Sequence, residues 1–435
     1  AMTPVTVGVF GLIVMAVLIM IRVPIGCAMG IVGLAGFSIL SSPDAAFSML
    51  GMVVYQTVSS YALTVIPLFF LMGQLAGQSG MGVELYRAVH RWTGFLPGGL
   101  AMATVGACAG FSAISGSSLA TAATIGAVAL PEMKRFRYDD ALATGCVAAG
   151  GTLGILIPPS TVMVVYAILT GQPVGTLFIA GIIPGIILTG LFLLTIFLWS
   201  RKRHGISHPD SRFSFAEKWE SLRDTGSVLL TFALVVGGLY GGWFTPTEAA
   251  AVGALIVLVI ISAKKRLTWK LLAGSLTETA LTTAMIFAIL IGANIFGYFM
   301  TLSDLPATLT AWVTDTGMNR YATLGIICLV YVVLGCILEG FAIMFLTLPI
   351  VFPMVTAMGF DPIWFGVLMI LLIEMGLITP PVGINVFIIS GIAKNVPMAT
   401  IFRGIAPFFI AILICVVLLF LFPQLALFLP ATMAG

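Results

Sequence analysis

Apolar residues in this chain neither alternate with polar ones nor recur once per helical turn; they run on. Val5–Ile21, Ile182–Ser200 and Pro407–Leu425 are close to uninterrupted. Alternation would mark strands, including those of a membrane barrel, and a repeat of about 3.6 residues would mark a helix on a soluble core. A continuous run of roughly 20 apolar residues instead spans hydrocarbon as a helix. Only helices and closed barrels satisfy their own backbone groups there, and the missing alternation removes the barrel. The pattern predicts an all-α, polytopic membrane protein. Val5–Ile21 has no basic residue before its apolar stretch and Arg22 behind it, so it is expected to be a retained first helix, not a cleaved signal.

Composition sharpens this. Hydrophobic residues are 60% of the chain and charged ones 8%, whereas a soluble domain needs about 25% charged residues to face water all round. The six cysteines (Cys27, Cys108, Cys146, Cys328, Cys336, Cys415) stand singly with no CxxC spacing, as small core residues do. No Gly-Lys dipeptide occurs, which excludes a Walker A loop. No His-Glu-x-x-His or Gly-x-Ser-x-Gly occurs either, so neither hydrolase motif supports an enzyme.

The halves resemble each other. Pro24 and Pro246 are 222 positions apart, as are Pro131 and Pro353, Asp139 and Asp361, Gly154 and Gly376, Pro158 and Pro380, and Pro159 and Pro381. An ordered series of this kind predicts two repeats, 1–200 and 227–430, around a linker at 201–226. Short loops rich in Lys and Arg stay in the cytoplasm. With the basic linker inside, both termini fall outside, and of 19 basic residues only Arg320 lies outside. That holds provided 100–130 and 322–352 each enter and leave on one side, as re-entrant hairpins. Pro131–Asp139 is then basic and inside, while its counterpart Pro353–Asp361 has no Lys or Arg and faces outside, so the repeats are inverted. Secondary transporters recurrently place a site between such repeats. The net charge of +3 follows from this orientation and points to no nucleic acid.

Candidate chemistry lies where the helical pattern breaks. The first hairpin turns at Gly110–Ser118 and the second at Gly335–Gly340, where glycine allows close approach and hydroxyls or freed carbonyls can hold a hard cation. Packing by small residues is the plainer alternative for such runs. Helices expected at 141–170 and 363–392 contain Gly154-Ile-Leu-Ile-Pro158-Pro159 and Gly376-Leu-Ile-Thr-Pro380-Pro381. Two prolines in succession remove donors and clash with the preceding turn. Each helix must break, leaving carbonyls for cations and a helix N-terminus for an anion; a kink with no ligand is the alternative. Closing helices are expected at 177–200 and 400–425. Three carboxylates fall within the apolar thickness, Glu278, Glu339 and Glu374, and intramembrane charges are functional candidates. Glu339, in the second turn, leads, Glu374 follows, and Glu278 reads as a packing contact. His90, His204 and His208 belong to inside loops, and Arg403 fits a contact to an anionic substrate and a cytoplasmic helix end equally well.

At these residues the chain resembles the large membrane subunit of the tripartite ATP-independent periplasmic (TRAP) transporters. Gly116–Pro159, with Ile125-Gly126, Pro131-Glu132-Met133-Lys134-Arg135, Gly151-Thr152-Leu153-Gly154 and Ile157-Pro158-Pro159-Ser160, is similar to the first-repeat signature of that family. Leu348-Pro349-Ile350, Phe360-Asp361-Pro362, Phe365-Gly366 and Thr379-Pro380-Pro381-Val382-Gly383 are similar to the second. Glu339 stands where the family more often has Asp.

The resemblance implies an elevator, in which hairpins and broken helices move against scaffold helices at 1–99 and 227–300. It implies sodium coupling, a small four-helix membrane subunit, and a periplasmic substrate-binding protein, in the bacterial inner membrane. Carried over, one Na+ site uses Ser112, Ser115, Gly116, Gly151, Thr152 and Gly154. A second uses Gly335, Glu339, Thr379 and Pro380. A small organic anion, such as a C4-dicarboxylate or sialic acid, sits between the hairpin tips. Ser115, Gly116, Ser117 and Ser160 hold it from the first repeat, and Gly340, Pro381 and Asn385 from the second. A stand-alone sodium/dicarboxylate symporter of related fold, and an ion channel, are the alternatives.

Overall fold

The structure, a computed structural model, describes residues 3–202, 213–315 and 317–433. Among these residues are twenty α-helices, one 3-10 turn (Tyr61–Thr64) and no strand. The first half holds α1 (Pro4–Met20), α2 (Ile25–Leu40), α3 (Pro43–Val58), α4 (Val65–Gln78), α5 (Met81–Thr93), α6 (Gly99–Ser115), α7 (Ser118–Arg135), α8 (Asp140–Leu156), α9 (Thr161–Thr170) and α10 (Val174–Lys202). The second holds α11 (Phe215–Tyr240), α12 (Pro246–Ala263), α13 (Trp269–Leu302), α14 (Leu305–Asp315), α15 (Arg320–Gly335), α16 (Gly340–Ala357), α17 (Pro362–Leu377), α18 (Ile384–Ile392), α19 (Met398–Leu421) and α20 (Gln424–Ala431).

One local signal opens several of these helices. Thr3, Ser42, Thr245 and Asp361 each accept a backbone N–H at a helix start, and a proline follows each of them. There the missing proline N–H costs nothing, and the cap supplies about 1 kcal/mol. Seven segments among the described residues are long and apolar enough to cross a membrane. Large apolar side chains stay exposed on outer faces, such as Ile410, Leu413, Ile414 and Val417 on α19, one of the seven, and Ile326, Leu329, Val330 and Val333 on the shorter α15. Contiguous faces of this kind need lipid or a partner against them.

The middle of the molecule is built on α8 and α17. Every residue from Ala141 to Leu156 and from Ile363 to Leu377 is buried, as expected of helices apolar on all sides. The α8 helix packs against α6, α7, α10 and α19. Trp364 Nε1 donates to Leu419 O at 2.9 Å and ties α17 to α19. Tyr166 OH donates to Pro362 O at 2.6 Å and ties α9 to the start of α17.

Between 99 and 202 and again between 320 and 421 the elements follow one order: a helical hairpin, a helix pair split at Pro-Pro, and a long helix. The ends differ from expectation in physical detail. The long helix expected at 400–425 stops at Leu421 because Pro423 cannot continue it, and α20 follows. The α14 helix was not foreseen. From Phe215 the expected linker is already helical, opened by a capping box between Ser214 and Glu217. The α11 helix bends by 52° between Phe215–Arg223 and Thr225–Tyr240. Arg203, His204, His208 and Arg212 lie outside the described residues.

Candidate functional site

The first hairpin turns in two residues. Gly116 adopts φ +59°, a left-handed conformation that glycine takes without penalty. Ser117 then caps α7, its Oγ accepting from Ala120 N at 3.3 Å. Behind the turn Ser115 Oγ and Thr121 Oγ1 share a 2.7 Å hydrogen bond. The first break faces this tip: Ile157 is extended before Pro158, as a residue preceding proline must be, and Ser160 caps α9. Tip and break are joined by backbone, since Gly116 O accepts from Thr161 N at 3.4 Å and from Thr161 Oγ1 at 3.1 Å. A Cβ on Gly154 would lie 2.8 Å from Ser118 N, so α8 and the tip touch main chain to main chain.

The second tip repeats this arrangement with other residues. α15 ends at Gly335, α16 begins at Gly340, and Cys336 O accepts from Val382 N at 3.2 Å, just past the second Pro-Pro pair. A Cβ on Gly335 would lie 2.8 Å from Gly376 Cα, so α15 presses onto α17. Glu339 sits at the N-cap position of α16 without capping it. Glu339 is instead one of the residues that line a cavity of about 370 Å³.

That cavity lies between the tips. Ser115, Ser117 and Ser118 line it from the first hairpin and Glu339, Gly340 and Phe341 from the second, with Thr161 at the first break. Its fourth wall comes from α4 (Phe70, Gly73, Gln74) and α13 (Thr282, Met285). No Lys, Arg or His is among its lining residues. Its size falls within the roughly 300–1,000 Å³ of small-molecule sites. A larger cavity of about 530 Å³ lies between α3, α9, α13 and α16, away from both tips, and has neither a charged group nor a helix start of the hairpins.

The structure therefore brings together Ser115, Ser117, Gly340 and Glu339. It leaves Ser160 and Asn385 fully buried outside the lining, and Pro381 on the exposed turn of the second break. Gly116 faces the break, and its carbonyl already accepts twice from Thr161. Gln74, Thr282, Ser118 and Thr161 were not predicted; Gln74 and Thr282 carry only the weak signal of a polar residue inside an apolar helix. Glu278 is exposed on α13, and Arg403 is exposed near the start of α19.

The hydroxyls expected to hold cations are polarised for it. Ser112 Oγ donates to Cys108 O at 2.6 Å, Thr152 Oγ1 to Ala149 O at 2.6 Å, and Thr379 Oγ1 to Met375 O at 2.5 Å. With its proton spent on the helix, each oxygen keeps only acceptor capacity, which suits Na+.

Residues 12–425 match the family described as "Tripartite ATP-independent periplasmic transporter, DctM component". The chain belongs to this DctM family. It is 36% identical over 393 residues to the C4-dicarboxylate TRAP transporter large permease protein DctM of Pseudomonas aeruginosa, covering 90% of this chain and 91% of that one. The isethionate TRAP transporter permease protein DctMQ of Oleidesulfovibrio alaskensis is 32% identical over 96% of this chain, which spans 64% of that longer protein. The sialic acid TRAP transporter large permease protein SiaM of Vibrio cholerae is 32% identical, covering 95% of this chain and 96% of its own. The solved YdaH transporter of Alcanivorax borkumensis shares the fold, with TM-score 0.62 at 17% identity over 90% of this chain and 88% of that one. As a DctM family member with seven apolar helices of spanning length among its described residues, this chain is a multi-pass membrane transporter component. Its family is one of permeases, not enzymes.

Proposed function

We propose that this chain is the permease subunit that carries a small organic anion across the bacterial inner membrane, driven by sodium, through the cavity between its hairpin tips. The single observation that carries the reading is the composition of that cavity: two helix starts, Ser118 of α7 and Gly340 of α16, with Glu339 and no basic residue among the lining. Helix N-termini contribute about half a positive charge each. That is too little to hold an anion beside a carboxylate, and bound cations make up the difference. The names of the relatives support the cargo class, since C4-dicarboxylates, isethionate and sialic acid are all organic anions.

The remaining parts follow from the same reading. One Na+ is held at the first hairpin and break by Ser112, Ser115, Gly151, Thr152 and Gly154, and another at the second by Gly335, Glu339, Thr379 and Pro380. The two halves are inverted repeats, the linker is cytoplasmic and the termini are periplasmic. Hairpins and split helices move as a body against a scaffold that includes α4 and α13. A small four-helix subunit completes the membrane part, and a periplasmic binding protein delivers the substrate.

Concentration dependence of uptake in proteoliposomes tests the cavity. Gln74→Ala and Ser117→Ala, at the lining, are expected to raise KM severalfold for the transported acid. Ser160→Ala, buried behind the tip, is expected to leave KM unchanged and to lower stability through loss of its cap. If Ser160→Ala alone alters KM, the cavity is not the binding site.

A further inference from the structure

Beside the first tip lies a second polar cluster, made by four helices from both halves. Glu374 on α17 and Asn385 on α18 are both 0% exposed, and Ser118 on α7 is 3% exposed. Asn385 Nδ2 donates to Ser118 Oγ at 2.9 Å and to Ala148 O, on α8, at 3.3 Å. Ser118 Oγ in turn donates to Glu374 Oε2 at 3.4 Å. A backbone carbonyl only accepts, so Ala148 fixes which end of the amide is nitrogen and turns Oδ1 the other way. The chain of donors runs out at the carboxylate. Glu374 Oε1 and Asn385 Oδ1 remain as buried acceptors with no donor, whereas buried polar atoms are nearly always matched.

No basic side chain of the cluster's own helices reaches Glu374. The helices α8, α17 and α18 contain no Lys, Arg or His. On α7 the basic residues are Lys134 and Arg135, sixteen and seventeen positions from Ser118, or about 24 Å along the helix. Ser118 is the first residue of α7, so the carboxyl group stands at the N-terminal end of that helix. A carboxyl oxygen and an amide oxygen, buried side by side in one cluster and both lacking donors, are ligands a cation can use. Oxygen ligands select a hard ion, and one carboxylate balances a single charge.

The structure assigns a buried monovalent cation site to Glu374, Asn385 and Ser118, separate from the two hairpin sites. It rests on the proposed sodium coupling only for the choice of Na+ as its ion. Because its ligands come from α7 in the first half and from α17 and α18 in the second, a bound ion ties the first hairpin to the second split helix.

Binding of radiolabelled sodium to the purified full chain in detergent micelles tests this by counting ions at saturation. Glu374→Gln, close to isosteric, is expected to bind one Na+ fewer than the wild type while eluting as a monodisperse protein. An unchanged count overturns the assignment and leaves Glu374 as a proton carrier. Thr152→Val and Thr379→Val report separately on the hairpin sites. If these two keep the full count while Glu374→Gln loses one ion, the hairpin assignment fails and this one stands; the reverse pattern overturns this one alone. Should Glu374→Gln fail to purify, Asn385→Asp decides. A second carboxylate is expected to raise Ca2+ affinity about tenfold, since ligand charge sets Ca2+ binding, and no rise refutes the site.

Discussion

Gly73→Ala probes the contact on which the proposed movement depends. Gly73 lies on α4 against the first hairpin tip. A Cβ there would stand 2.6 Å from Ser115 O and 3.2 Å from Ser115 Cα, where ordinary contact starts at 3.4 Å. The tip must therefore withdraw by about 0.8 Å to admit one methyl group. Overpacking of this kind costs about 1–3 kcal/mol, or roughly 5- to 150-fold in the population of the docked conformation at 1.4 kcal/mol per decade. Gly77, one turn along the same helix, is the control. Its nearest neighbours are Thr124 Oγ1 at 3.8 Å and the Phe111 ring at 3.9 Å, so Gly77→Ala gains the same helix propensity of up to about 1 kcal/mol with no clash. Initial uptake rates and thermal unfolding of both variants, reconstituted side by side, measure the difference. Gly77→Ala is expected to equal or exceed the wild type in stability, and Gly73→Ala to lose at least fivefold in rate or to unfold several degrees lower. Equal behaviour would mean that the clash is absorbed at no cost and that the tip does not need the close approach at Gly73.

Three further outcomes are expected. Thr152→Val and Thr379→Val keep helix shape but delete oxygens whose protons are already spent on Ala149 O and Met375 O; half-maximal uptake is expected to need about tenfold more sodium, as the loss of one charge-assisted contact of ~1.5 kcal/mol implies. Glu84 binds Lys264 Nζ at 2.6 Å and Arg266 Nη2 at 2.7 Å, joining α5 to the turn after α12. Glu84→Gln is expected to cost about 1 kcal/mol in thermal unfolding, less at high salt, since these cations are part-exposed. At the start of α11, Ser214 N–H and Oγ–H hold the Glu217 carboxyl below its usual range. This cap is complete at neutral pH and is lost as pH falls through the lowered value. Hydrogen-exchange protection at the first turn of α11, corrected for the intrinsic pH dependence of exchange, should therefore fall only on acidification, and Ser214→Ala should lower it already at neutral pH.

The breaks in the chain were legible because their causes are local. Pro158-Pro159 and Pro380-Pro381 end a helix whatever surrounds them, and Gly116 followed by Ser117 states a turn and a cap within two residues. The carboxylates were legible as types, because a charge in an apolar run is costly and stands out. Their surroundings were not. Glu278 faces outward and Glu374 inward, which depends on how α13 and α17 pack and not on the residues next to them. Gln74 and Thr282 join the cavity only because α4 and α13 close its fourth side, a tertiary fact with no sequence period of its own. Ser160 and Asn385 stand near the breaks in sequence, yet the helices they open carry them behind the tips. Gly116 shows the same limit for the backbone, since its carbonyl is accessible in principle but is already taken by Thr161.

Uptake of radiolabelled organic acids into proteoliposomes separates sodium-driven import of a delivered anion from its alternatives. The liposomes would contain this chain with the proposed small membrane subunit and binding protein, with and without an inward sodium gradient. One small anion should accumulate, only with both the gradient and the binding protein present, and Glu339→Gln should abolish that accumulation. Uptake indifferent to sodium would contradict this, and so would uptake that persists in full without the binding protein.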